Sequence, residues 1–67
     1  MADQQKTKPV RLLKPSEAAI FLAVSERTVT RLTSRGELPH VRVGGSMRFV
    51  MEDLLAYVAR QRRWSGD

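Results

Sequence analysis

The chain is 67 residues long, which is enough for one small domain with a thin core, because a chain of this size buries only about 60% of the surface its unfolded form exposes. It has no cysteine and one histidine, which excludes disulfides, thiolate zinc sites and a cysteine nucleophile, and argues against an all-protein metal cage. Twelve Lys and Arg against seven Asp and Glu give a net charge of +5 and an isoelectric point near 10.8, a balance that selects polyanionic partners, nucleic acid ahead of a membrane surface.

Residues 1–10 are polar, charged and aperiodic, and are expected to form a disordered basic arm. With Lys6, Lys8 and Arg11 this arm serves either as a solubilising tail or as a reach toward phosphate. Its MADQQKTK start lacks the apolar core of a signal peptide. The longest uncharged apolar run, Ala18 to Val24, falls far short of the roughly 20 residues of a spanning helix. The expectation is a soluble, cytoplasmic protein associated with the nucleoid and without a membrane partner.

A single domain is expected over residues 11–63. Pro15 suits the first position of a helix, because its missing N–H has no intrahelical partner there, and Glu17 in the first turn complements the helix dipole. This helix runs through Ala18, Ala19, Ile20, Phe21 and Leu22. It is apolar nearly all round and is therefore expected at the centre of the domain. Val24-Ser25 separates it from a second helix, with Ser25 as N-cap and Gly36 as the stop. Two short helices joined by two or three residues make a helix-turn-helix. After Pro39, His40 to Val43 alternates polar and apolar, Gly44-Gly45-Ser46 reads as a turn, and Met47 to Val50 returns as a second strand. Arg42 and Arg48 flank this hairpin. A last helix begins near Met51 with Glu52 and Asp53 in its first turn. Leu54, Leu55, Tyr57 and Val58 are spaced to bury one side, and Arg60, Arg62 and Arg63 favour the negative end of its dipole. Residues 64–67 form a tail. The fold class is mostly α with a small β-hairpin, a winged helix-turn-helix in the order α-α-β-β-α.

The second helix sorts its residues by function. At roughly 100° per residue, Val29 and Leu32 lie about 60° apart and mark the buried side, with Arg27, Arg31 and Ser34 opposite and Thr30 beside them. Arg35 and Thr28 flank that face. Arginine meets guanine O6 and N7 with two parallel hydrogen bonds, and Thr or Ser meets several bases or a thymine methyl. Ser25 and the helix N-terminus add donors for a phosphate. An ordinary solvated helix face has the same composition. The preceding helix, the Arg-bearing hairpin and the basic balance are what favour a helix in the major groove with a wing alongside.

Other residues carry weaker signals. His40 has no readable nucleophile or orienting partner, which leaves it as a phosphate contact beside the wing or as a bystander. Glu52 and Asp53 are adjacent on a helix and do not face one another, so they read as dipole partners and not as an acid/base pair. Gly44-Gly45 fits no nucleotide-binding motif. Trp64 either folds onto the core or anchors a partner. No cofactor or metal is expected, and no enzyme activity.

From Leu12 to Val58 the chain resembles the excisionase-type, MerR-like winged helix-turn-helix DNA-binding domains. The resemblance is carried by Leu12-Leu13, Glu17-Ala18-Ala19, Leu22, Val24-Ser25, Arg27-Thr28-Val29, Arg31-Leu32, Gly36, Leu38-Pro39, Val41-Arg42-Val43-Gly44, Arg48-Phe49, Glu52-Asp53-Leu54 and Tyr57. It implies a recognition helix from Ser25 to Arg35, with Arg27 and Arg31 reading bases and Thr28 and Thr30 supporting them. It also implies a wing from Arg42 to Arg48. Three positions depart from the usual pattern. Lys14 stands where a Thr or Ser cap is common, Gly44-Gly45-Ser46 where the wing tip is often basic, and Thr30 where an aromatic is frequent. Contact at the tip would then come from the backbone of Gly45 and from Ser46.

The function implied is that of a phage or mobile-element excisionase, a recombination directionality factor. Such a protein binds adjacent sites on double-stranded DNA near an attachment site, bends the duplex and helps an integrase, a tyrosine or serine recombinase, to assemble the excisive complex. Arg60 to Trp64 is then a candidate contact with the integrase or with a neighbouring protomer. The alternative is a small MerR-like transcriptional regulator. Its full-length relatives carry a long dimerisation helix for which this chain is expected to have no room. A third reading is a basic module whose last helix docks a protein or an anionic membrane.

Overall fold

The computed structural model describes residues 11–63. The readings of residues 1–10, Trp64 and residues 65–67 lie outside that range. The elements are β1 (Leu12–Leu13), α1 (Pro15–Leu22), α2 (Glu26–Ser34), β2 (Val41–Val43), β3 (Ser46–Val50) and α3 (Met51–Gln61). The expected helices and hairpin are present in the expected order. β1 is an addition: Leu12 pairs with Val50 and Leu13 with Phe49, so β3 is the centre of a three-stranded antiparallel sheet in the order β1-β3-β2.

Each junction has a local cause. Lys14 is extended, and its backbone N–H donates to Glu17 Oε1 at 2.8 Å, so Glu17 reaches back to hold the start of α1 where no capping hydroxyl is present. The helix closes at Ala23, in the left-handed region with φ 59°. The Ala23 N–H donates to the Ile20 carbonyl and the Val24 N–H to the Ala19 carbonyl. Ser25 then opens α2, its Oγ accepting the Thr28 N–H at 3.1 Å. At the far end Gly36 takes φ 75°, the Gly36 N–H donates to Thr33 O and the Glu37 N–H to Leu32 O. This tight closure turns the chain so that Leu38 enters the core. β2 and β3 are joined by Gly44 and Gly45 alone, both at positive φ (56° and 91°), the conformation that a two-residue hairpin loop with the twist of its strands requires. β3 passes into α3 without a loop, Val50 being the last extended residue.

The core consists of Leu13, Ala18, Ala19, Val29, Leu38, Phe49 and Leu54, with Leu22, Leu32, Met47, Met51 and Tyr57 packed against it. Two expectations about burial are corrected. α1 is not surrounded: Ala18 and Ala19 are buried, but Ile20 is 78% exposed and Phe21 41%. α1 packs on α2 through small alanines, and among the described residues no further layer covers its other side. On α3, Leu54 is buried and Tyr57 half-buried, whereas Leu55 and Val58 are 51% and 40% exposed. Leu55 lies about 100° round the helix from Leu54, off the side that packs inward, and Val58 lies one turn beyond Leu54, toward the end of the helix. Among the described residues no helix is long and apolar enough to cross a membrane.

Candidate nucleic-acid interface

The interface is built on α2. Val29 is fully buried, Thr33 nearly so, and Leu32 packs beside them. These three anchor the helix and turn Arg27, Thr30, Arg31, Ser34 and Arg35 outward, all exposed, with Thr28 half-buried at the margin. Thr33 went unnoticed as an anchor because it is polar. Its hydroxyl donates to the Val29 carbonyl at 2.8 Å, which satisfies the group inside the core and leaves its methyl to pack. The spacing of four from Val29 was the available signal.

The outward side chains differ in how engaged they are. Among the described residues the ion pair within 4 Å is Arg35 Nε to Glu37 Oε2 at 3.6 Å, both ends exposed, a weak contact that holds Arg35 toward the helix exit. Arg27 and Arg31, one turn apart, are in no such pair. Thr30 Oγ1 donates to the Glu26 carbonyl at 3.1 Å, so what this side chain has left for a ligand is its γ-methyl and an oxygen lone pair. Ser25 Oγ and Thr28 Oγ1 lie 3.1 Å apart and share a hydrogen at the helix start, so both serve the cap. The face therefore presents two guanidinium groups with a methyl between them and the Ser34 hydroxyl beyond.

The hairpin is arranged differently. Its register pairs Val41 with Arg48, Arg42 with Met47 and Val43 with Ser46. Directly paired side chains leave the sheet on the same face. Arg42 thus shares a face with Met47, and Arg48 shares the opposite face with Val41, so the structure does not bring the two expected wing arginines together. A three-residue turn over 44–46 would have paired Arg42 with Arg48. The two-residue loop shifts the register by one and sends them apart. Arg42 is exposed on the edge strand, while Arg48 is half-buried and donates from Nη1 to the Met47 carbonyl at 2.8 Å. Gly45 and Ser46 are exposed at the tip.

One brace escaped the sequence reading. Arg60 lies 5.9 Å from the Tyr57 ring centroid and its Nη2 reaches the Glu37 carbonyl at 3.5 Å. The end of α3 thereby touches the segment through which the chain leaves α2. Arg62 and Arg63 are exposed beyond it, and His40 is exposed ahead of β2.

Comparison with known proteins agrees with this geometry. Uncharacterized proteins of Mycobacterium tuberculosis (strain ATCC 25618 / H37Rv) and Mycobacterium bovis are each 44% identical over 54 residues, which covers 78% of this chain and 47% of the relative. A second Mycobacterium tuberculosis protein, named "Putative DNA-binding protein", is 53% identical over 38 residues, 57% of this chain and 49% of its own length. The chain spans about half the length of the curated relatives it matches. No solved structure matches it. The family described as "Helix-turn-helix domain" matches residues 12–62, from the first residue of β1 to one residue past α3. With that match covering the whole described fold, the chain belongs to the helix-turn-helix domain family of DNA-binding domains.

Proposed function

We propose that the protein is a sequence-specific, architectural DNA-binding factor of the excisionase kind. It sets α2 in the major groove at adjacent sites near a phage or mobile-element attachment site, bends the duplex and directs integrase-mediated excision, with no chemistry of its own. The observation that carries this reading is the exposed Arg27–Thr30–Arg31–Ser34 face of α2, held outward by buried Val29 and Thr33. A helix pinned on one side and cationic on the other can read base edges while the rest of a +5 chain neutralises phosphate. Arg42 on the hairpin edge and the exposed tip at Gly45 and Ser46 support a backbone contact next to the helix. Arg48, tied to Met47, supports the hairpin more than the ligand.

Bending a site by 40–90° costs on the order of 1–6 kcal/mol, which favours several protomers acting together. Footprinting across an attachment-site region, with bend angles read from circularly permuted fragments and excision scored with the cognate integrase, tests the proposal. Protected adjacent sites, a bend and stimulated excision are the expected result. A single unbent site with no effect on the integrase would replace it with the transcriptional-regulator reading.

A further inference from the structure

Cationic side chains from two helices gather where the chain leaves α2. Arg35, just before Gly36, lies with its Nε 3.6 Å from Glu37 Oε2. Arg60, in the last turn of α3, donates from Nη2 to the Glu37 carbonyl at 3.5 Å, with its guanidinium carbon 5.9 Å from the Tyr57 ring centroid. Glu37 thus holds one guanidinium on its side chain and another on its backbone. Arg62 and Arg63 follow on the segment past α3, at most about 7 and 11 Å of chain from Arg60. Arg62 is extended, and both side chains are exposed and in no ion pair within 4 Å among the described residues. Glu52 and Asp53 do not offset them, because they sit in the first turn of α3, about 10 Å or more along the axis from Arg60.

We propose that Arg35, Arg60, Arg62 and Arg63 form a phosphate clamp that grips the duplex backbone at the exit of α2. The clamp rests on the proposed placement of α2 in the major groove and adds a contact that neither the outward face of α2 nor the hairpin supplies. The groove is only about 12 Å wide, so a helix end inside it lies close to sugar-phosphate. The C-terminal end of a helix carries the negative pole of its dipole, and Glu37 adds a carboxylate there. Left to itself, such an exit would repel phosphate. The arginines of the α3 end reverse the sign, because with Arg35 they set four guanidinium groups against the one carboxylate of Glu37.

The four side chains have different tasks. Arg60 is the strut: stacked against Tyr57 and bonded to the Glu37 carbonyl, it holds the end of α3 against the exit of α2. Arg62 and Arg63 are the prongs, each with a planar fork of donors that matches two oxygens of a phosphate. Arg35 joins them by exchanging a weak, exposed ion pair with Glu37 for a phosphate oxygen. A recombinase surface is the competing partner for this end of the chain. The duplex is favoured because the cluster is tied through Glu37 to the helix that enters the groove.

Equilibrium binding of the full chain over a range of salt tests the clamp, on a duplex that the wild type selects from a randomised pool and on a random-sequence duplex. Replacing both prongs, Arg62→Ala with Arg63→Ala, should lower the salt slope by about 1.8, for two lost phosphate contacts. It should weaken both duplexes at least about tenfold at about 0.1 M salt and leave their ratio within about twofold of wild type. The thermal melt should not move, since neither side chain has a partner to lose. Arg62→Lys with Arg63→Lys keeps the charges and should keep the slope. Glu37→Gln leaves the backbone carbonyl for Arg60, frees Arg35 and should tighten both duplexes. An unchanged slope in a double-alanine chain that still prefers the selected duplex would overturn the clamp and leave the placement of α2 standing. A loss confined to the selected duplex would make these side chains base contacts and overturn it too. Normal duplex binding with a loss of integrase-stimulated excision would make the segment a recombinase dock instead. A wild type with no preference for any duplex would remove the placement of α2, and the clamp with it.

Discussion

The second helix and the hairpin each carry two arginines, and the backbone treats the pairs in opposite ways. Arg27 and Arg31 are four residues apart on α2, a spacing that the helix period collects onto one face. Arg42 and Arg48 lie on facing strands, where the pleat and the register decide, and the observed register sends them to opposite sides. The helical pair is also exposed, whereas Arg48 spends a donor on the carbonyl of its own neighbour. The same residue type thus becomes a two-pronged exposed cationic face in one region, and one exposed edge side chain plus one structural strut in the other.

The largest effects should come from breaking the helical pair. Arg27→Ala or Arg31→Ala should each cost about 1–3 kcal/mol on the specific duplex and relax base preference at one position. Binding isotherms on the chosen site and on random duplex check this. Equal losses on both kinds of DNA would show that these side chains hold phosphate and do not read bases. The wing should respond differently. Arg42→Ala should weaken specific and random duplex alike and lower the salt slope by about 0.9 for one lost phosphate contact. Arg48→Ala should leave the slope nearly unchanged and act on thermal stability instead. A reversed order of Arg42 and Arg48 would mean that the opposite face of the hairpin meets the duplex.

A smaller effect sharpens what lies between the two helical arginines. With its hydroxyl turned back to Glu26, Thr30 offers a methyl to the groove. If that methyl packs on a thymine methyl, replacing thymine by uracil at one position should cost the wild type about 0.8 kcal/mol, the worth of one buried methyl-sized group. It should cost a Thr30→Ser chain much less, and Thr30→Val should keep the sensitivity. A wild type indifferent to uracil at every position would assign the contact to the Thr30 oxygen.

The contrast between the two regions also shows where the sequence could be read and where it could not. Boundaries set by single residues with strong backbone preferences were legible: Pro15, Ser25 and Gly36 bracket the two helices, and Gly44 marks the hairpin. The outward face of α2 was legible because a nine-residue helix repeats its period often enough to separate Val29 from Arg27 and Arg31. The register was not, because it depends on whether Ser46 ends the turn or begins the strand, and one residue reverses every face. β1 was missed because two leucines in a row show no alternation. The exposure of Ile20 and Leu55 was missed because hydrophobicity says which residues favour burial, not whether a chain of 67 residues has enough mass to bury them.

The smallest predicted effect concerns the joint between α1 and α2. α1 ends at Ala23 with φ 59°, and the wing tip takes positive φ at Gly44 and Gly45. The turn thus meets with alanine a requirement that the hairpin meets with glycine. A β-carbon in the left-handed region costs roughly 1–2 kcal/mol, and glycine's greater freedom in the unfolded chain takes back about half of that, so Ala23→Gly should stabilise the domain by about 0.5 kcal/mol. In a domain of this size that is a rise of about 2–4 °C in Tm, readable by thermal melting. Affinity for the specific duplex separates two roles for the joint. If Ala23→Gly raises Tm and leaves binding unchanged, the angle between α1 and α2 is set by the packing of Ala18, Ala19 and Val29, and the strained alanine is incidental to aim. If stability rises while specific binding falls and random binding holds, the restricted alanine is what keeps Arg27 and Arg31 in register with the groove, and the strain is retained for that purpose.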